Sequence, residues 1–264
     1  MSKKSAPFDK YVYYQKAVQN PQNEIEFFND KFKKIRKRLP YTLREDFCGT
    51  GMITCHWVKQ STKHMSWGID LDPEPLEYGK NNHFAPLTTK EQSRVHFMLD
   101  NVLSAKTPKV DICFAFNFSY FIFKQRADLL NYFKAARKAL NEDGVFFIDL
   151  FGGPDSQTVM TDIMEHDTFD YFWDCQEFNP INNHCKFAIH FKPKGQKKHS
   201  NVFVYDWRLW SMSELRDLLM EAGFSKSIAY WEGEDGEGGG DGEFYPTEVA
   251  ENCEAWVTYI AALK

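Results

Sequence analysis

Two short stretches carry the residue types and spacings best suited to chemistry. The first is Arg44-Glu45-Asp46-Phe47-Cys48-Gly49-Thr50-Gly51, where an apolar-leaning run from Tyr41 ends in small residues and a helical pattern (Met52, Ile53, Trp57, Val58) begins at once. A strand that turns into a helix through glycines brings bare backbone N–H groups against an anionic or hydroxyl-rich ligand. The second is Asp70-Leu71-Asp72, closing the strand-like run Met65 to Ile69, with Asp70 nineteen residues beyond Gly51. An acid at the tip of a neighbouring parallel strand can take both hydroxyls of a ribose. Each stretch also has a plainer reading, because two glycines suit any strand-to-helix turn and Asp70 or Asp72 can cap the helix that starts at Pro73. Together they describe a nucleoside pocket at the carboxyl ends of a doubly wound sheet.

The surrounding pattern supplies such a sheet. Strands are expected at 41–47, 65–70, 94–99, 110–116 and 144–150, with helices at 51–60, 73–82 and 124–140. Unbroken apolar runs such as Ile112-Cys113-Phe114-Ala115-Phe116 and Val145-Phe146-Phe147-Ile148 require burial on both faces, as in a parallel sheet covered by helices. Before them, residues 8–40 read as helices broken at Asn20-Pro21. After Gly152-Gly153-Pro154, three strand-like runs (171–176, 185–191, 202–208) read as an antiparallel meander. A helix from Ser211 and two last strands, 224–231 and 255–263, follow. The acidic, glycine-rich stretch 232–243 between those strands lacks the spacing of a calcium loop and reads as a mobile solvated loop. The expected fold class is α/β: a doubly wound, seven-stranded, mostly parallel sheet with a C-terminal antiparallel hairpin. Its units are N-terminal helices (1–40), a core (41–153 and 210–264) and an inserted antiparallel cover (154–209).

Composition narrows the partners. The 264 residues carry a net charge of −5, which argues against a general affinity for polyanions. The basic run Lys31 to Arg38 reads as a solvated helix face over Phe32 and Ile35 rather than as a nucleic-acid patch. No stretch reaches the ~20 apolar residues of a membrane span, and the N-terminus lacks the apolar core of a secretion signal. Six cysteines without paired spacing point to reduced thiols in the cytoplasm rather than disulfides or a metal site.

The order glycine turn, acidic strand tip, Leu99-Asp100-Asn101, buried strand, long helix and final hairpin resembles the class I S-adenosylmethionine-dependent methyltransferases. The resemblance covers roughly 41–151 and 210–264. It implies S-adenosyl-L-methionine as cofactor, with Glu45 at the acidic position of the first motif and Gly49 and Gly51 at its last two glycines. Phe47 stands where that motif has its first glycine. By the same resemblance Asp70 holds the ribose, Leu71 lies along the adenine, and Asp100 receives the adenine amino group beside Asn101 and Val102. Asn117 lines the methionine part, and Arg44 and Cys48 flank the turn. Tyr14, with Tyr11 and Tyr13, is a candidate lid; the competing reading is ordinary helix packing.

Methyl transfer is an in-line displacement whose main demands are alignment and exclusion of water. Candidate bases are Tyr120, His190 (with His184) and Asp149 at the fifth strand's tip; Arg44 and Arg208 are candidate carboxylate holders. The aromatic cover favours a small-molecule acceptor, methylated on N or O, with the chain a monomer or homodimer. The competing functions are a nucleic-acid or protein N-methyltransferase and a non-catalytic S-adenosylmethionine-binding protein.

Overall fold

Apolar runs without alternation become the middle of one large sheet. In the computed structural model, which describes residues 7–236 and 239–264, two helices come first: α1 (Lys10–Val18) and α2 (Pro21–Arg36), the latter capped by the Asn20 side chain. Alternation follows through β1 (Thr42–Asp46), α3 (Met52–Gln60), β2 (Met65–Asp70), α4 (Pro73–Gly79), the short α5 (Thr89–Gln92), β3 (Val95–Leu99), β4 (Val110–Ala115), α6 (Arg126–Ala139) and β5 (Leu140–Gly152). The five strands pair in parallel. From β1 the chain builds outward through β2 and β3, then returns to the other side of β1 with β4 and β5. That reversal between β1 and β4 is where an open α/β sheet leaves a crevice at its carboxyl edge.

Helices cover both faces. Phe28 and Phe32 of α2 and Trp57 of α3 pack on Phe114 and Phe147, while Phe133 of α6 and Leu218 of α7 (Met212–Glu221) pack on Cys113, Phe146 and Ile148 from the other side. The last strands are β10 (Lys226–Glu234), β11 (Gly240–Pro246) and β12 (Trp256–Leu263), with β12 inserted antiparallel between β5 and β10. The expected sheet therefore gains an eighth strand, β11, paired along β10 from Glu234↔Gly240 to Tyr230↔Pro246. Much of the stretch expected as a loop over 232–243 is thus hairpin arm. Edge pairing overrides a composition that disfavours strands; residues 237 and 238 lie outside the described residues.

Between β5 and α7 stands a second sheet of four antiparallel strands, in the order β6 (Thr161–Glu165), β7 (Phe169–Asn179), β8 (His184–Pro193), β9 (His199–Arg208). The meander expected as three strands has β6 as a fourth. That strand is short and mostly exposed, so it carries little hydrophobic signal.

Part of the basic run is tied into the fold, while Lys33, Lys34 and Lys37 lie exposed on its solvated face. Lys31 and Lys34 both reach Asp30, Arg36 donates to the carbonyls of Gly144 and Lys264, and Arg38 pairs with Asp111 and Asp143. No helix among the described residues is long and apolar enough to cross a membrane.

Candidate functional site

The turn after β1 takes its shape from three left-handed residues: Phe47 (φ 58°), Gly49 (φ 52°) and Gly51 (φ 62°). Phe47 adopts the conformation that glycine adopts freely, at a cost of roughly 1–2 kcal/mol. Its ring is anchored against Phe123 and Tyr132, which holds the backbone there. A Cβ at Gly49 would meet only open space, so bare backbone faces the cleft. At Gly51 it would fall 2.0 Å from the Phe97 ring, so that glycine serves close packing.

Asp70 ties the turn to the second strand. Its Oδ2 accepts the Gly49 N–H at 2.7 Å and its Oδ1 the Asp72 N–H at 2.9 Å. The Asp100 N–H donates to the Asp70 carbonyl at 3.0 Å, which places the tips of β2 and β3 side by side. Asp100 in turn accepts from the Asn101 N–H at 2.7 Å. Glu45 faces the start of α3, where the Thr54 N–H (2.9 Å) and hydroxyl both donate to Oε2. Burial outweighs those two donors and pushes the Glu45 carboxyl up to about 8.

A cleft of about 320 Å³ opens beside these groups. Of the twelve residues expected to hold the cofactor, Glu45, Cys48, Gly49, Asp70, Asn117 and Tyr14 line it. Leu71 is 63% exposed at the β2 tip, and Asp100 and Asn101 continue the rim beside it. Val102 is buried, and its carbonyl accepts from Arg44. Arg44 itself is only 2% exposed and donates to Asp46 at 2.7 Å. It is a core residue and cannot reach a ligand carboxylate in the cleft. Arg208 is likewise spent, bonded to Glu214 and stacked over Trp210.

Helix α1 lies over the cleft. Lys10 pairs with Glu74, Tyr11 packs on Tyr78 and Phe203, and Gln15 Nε2 donates to Thr50 Oγ1 at 3.0 Å. Tyr14 and Tyr205 line the same cleft, so the helix and the inserted sheet meet there.

Beyond Tyr14 lies a second cavity, a chamber of about 520 Å³ walled by aromatic residues of β7, β8 and β9 such as Tyr171, Trp173, Phe187 and Trp207. Cleft and chamber share Tyr14, Phe116, Asn117 and Tyr205. An outer groove adjoins the chamber through Val18, Glu24, Phe116 and Tyr259.

The three expected bases part ways here. Asp149 lines the chamber at the end of β5 and accepts the N–H groups of Asn117 (2.6 Å) and Phe118 (3.0 Å). Burial, opposed by those donors, pushes it up to about 8. Tyr120 is fully buried, its hydroxyl donating to the Asp149 carbonyl at 2.6 Å, so it braces the strand tip and does not reach the chamber. His190 sits on the opposite face of β8 from Phe187 and Ile189, bonded to Asp174 and to the Asn201 N–H. It and His184 lie off the chamber wall, as the two-residue period of a strand requires for His190.

Reading the residues alone missed three contributors: Gln19 in the cleft, Glu24 in the chamber, and Gly79, whose Cβ would fall 1.9 Å from the Thr50 carbonyl.

The sequence matches no protein-family model and no curated protein. Solved structures are similar over nearly the whole chain. An S-adenosylmethionine-dependent methyltransferase from Clostridium acetobutylicum ATCC 824 is 17% identical at a TM-score of 0.68, covering 96% of each chain. An amino pentose methyltransferase from Micromonospora echinaspora, solved with S-adenosylmethionine bound, is 14% identical at 0.67, covering 99% of this chain and 100% of that one. This is the fold of the class I S-adenosylmethionine-dependent methyltransferases. A sugar N-methyltransferase from Streptoalloteichus sp. ATCC 53650 shares the methyltransferase fold at 15% identity and a TM-score of 0.63, covering 100% of this chain and 96% of that one.

Proposed function

We propose that this chain is an enzyme that moves the methyl group of S-adenosylmethionine to a nitrogen or oxygen of a small molecule. One observation carries the reading: a cleft built on Gly49 and Asp70 meets an aromatic chamber at Tyr14, Phe116, Asn117 and Tyr205. The residues of the cleft fit the cofactor. Gly49 offers bare backbone, Asp70 an acid for the ribose with Asp100 and Asn101 beside it, and Gln19 Oε1 a buried acceptor without a partner among the described residues. Bound there, the cofactor supplies an electrophilic methyl on a sulfonium.

The chain's own work is positional. Tyr14 presents a ring at the junction, where a cation is attracted by an aromatic face. Asn117 and Phe118 are held at the junction by Asp149, which fixes the loop that the acceptor must pass. Helix α1 acts as a lid over the cleft, and the inserted sheet excludes water from the chamber. The chamber's size and aromatic lining suit a metabolite rather than a polymer. Six unpaired cysteines, five of them buried, suit a reducing compartment, and we place the activity in the cytoplasm.

The test is calorimetric titration with S-adenosylmethionine, followed by assay of S-adenosylhomocysteine with a panel of small amines and alcohols. Product formed with one acceptor class supports the reading. Tight binding without turnover on any acceptor would leave a cofactor-binding protein instead.

A further inference from the structure

The chamber's charges are one-sided. Five carboxyl residues line it (Glu24, Asp149, Asp155, Asp162 and Glu232), with no Lys, Arg or His among the lining residues. Aromatic walls plus acids without counter-charges form a site for an organic cation. Within it, Glu24 is the telling residue. It comes from α2, outside the sheet, at the corner where α1 ends. Its Oε2 is out of solvent contact and has no hydrogen-bond partner among the described residues. Such a stranded acceptor is costly, and a ligand donor would satisfy it.

We propose that the methyl acceptor is an amine, held as its ammonium by the Glu24 carboxylate in the chamber that Asp149 also lines. This rests on the methyltransferase reading above and names its substrate class. An ammonium nitrogen has no lone pair, so a proton must leave before transfer. A carboxylate of the pair takes that proton. The freed lone pair then forms the N–C bond as the C–S bond breaks, the bonding electrons stay on sulfur, and the product nitrogen carries the positive charge. The proton passes from the carboxylate to solvent.

The groups facing Glu24 agree. Asp149 of β5, Glu45 of β1 and the hydroxyls of Tyr14 and Tyr259 lie within electrostatic reach. Burial pushes Glu24 up to about 7, opposed only by a backbone hydrogen bond from Asn20. A carboxyl so placed can both hold and relieve an ammonium near neutrality.

The experiment titrates the full chain, saturated with S-adenosylhomocysteine, with phenethylamine, 2-phenylethanol and 3-phenylpropanoate. The amine should bind at least tenfold more tightly than the other two, and Glu24→Gln should erase that preference while leaving S-adenosylhomocysteine affinity unchanged. Equal binding of the three probes, no amine binding at millimolar concentration, or an unchanged preference in Glu24→Gln would overturn the proposal. A second measurement needs no variant. Amine titrations of the native chain at pH 7.5 in phosphate and in Tris should differ in heat, because the carboxyl pair releases protons as the ammonium docks. Identical heats would count against it. Failure of S-adenosylhomocysteine itself to bind is a separate outcome and would sink the methyltransferase reading first.

Discussion

Gly79 and Asp70 show how much of the cleft depends on single atoms. Gly79 lets α4 rest against the Thr50 carbonyl, in a turn whose Thr50 side chain accepts from Gln15. Gly79→Ala should cost roughly 1–3 kcal/mol through overpacking, read as an earlier midpoint in chemical denaturation; an unmoved midpoint would contradict the packing described. Asp70→Ala should weaken S-adenosylmethionine binding by roughly 1–3 kcal/mol, since two backbone donors and the ribose lose one acceptor. Calorimetry on the folded variant decides it, and unchanged affinity would remove Asp70 from the ribose site. Both Asp70 and Gly49 were legible because a strand tip and a turn are local features. Glu24 was not, since along the chain it is one acid in a polar helix face and only the fold brings it beside Asp149. Tyr120 misled for the opposite reason. Its place after β4 suggested the site, yet its side chain turns into the core toward the Asp149 carbonyl.

At the scale of elements, the parallel strands could be read from their apolar runs, and the α1–α2 break from Asn20-Pro21. Boundaries were harder where composition and pairing disagree, as in β11 and β6. The position of α1 was only half visible: aromatic spacing signalled a packed helix, but not that Tyr11 and Tyr14 reach across to Phe203 of β9. If α1 is a lid, Tyr11→Ala should speed release of bound S-adenosylhomocysteine roughly tenfold, about 1.4 kcal/mol, comparable to the added worth of an aromatic pair. Stopped-flow displacement measures this directly. A rate equal to the native one would mean that the cofactor leaves by another route.

At the scale of the molecule, three carboxyls held above their ordinary range set the response to pH. Glu24, Glu45 and Asp149 sit at about 7, 8 and 8 in the folded chain, above their ordinary values of 4.5, 4.5 and 3.8. The folded state therefore holds more protons than the unfolded state across that interval, and stability falls as pH rises from about 4 to 8. Thermal melts of the ligand-free chain should show Tm dropping over this range, by roughly 2–4 °C for each kcal/mol lost. A flat or rising Tm there would show these acids to be ionised in the fold. The separation of cleft from chamber has a consequence for turnover. The cleft reaches its rim at Lys10 and Asp72, whereas the chamber runs out past Met164 and Glu232 and into the groove behind Glu24. Spent donor and acceptor need not queue at one door. On the amine reading proposed above, an acceptor seated in the chamber can stay in place while a fresh donor replaces the old.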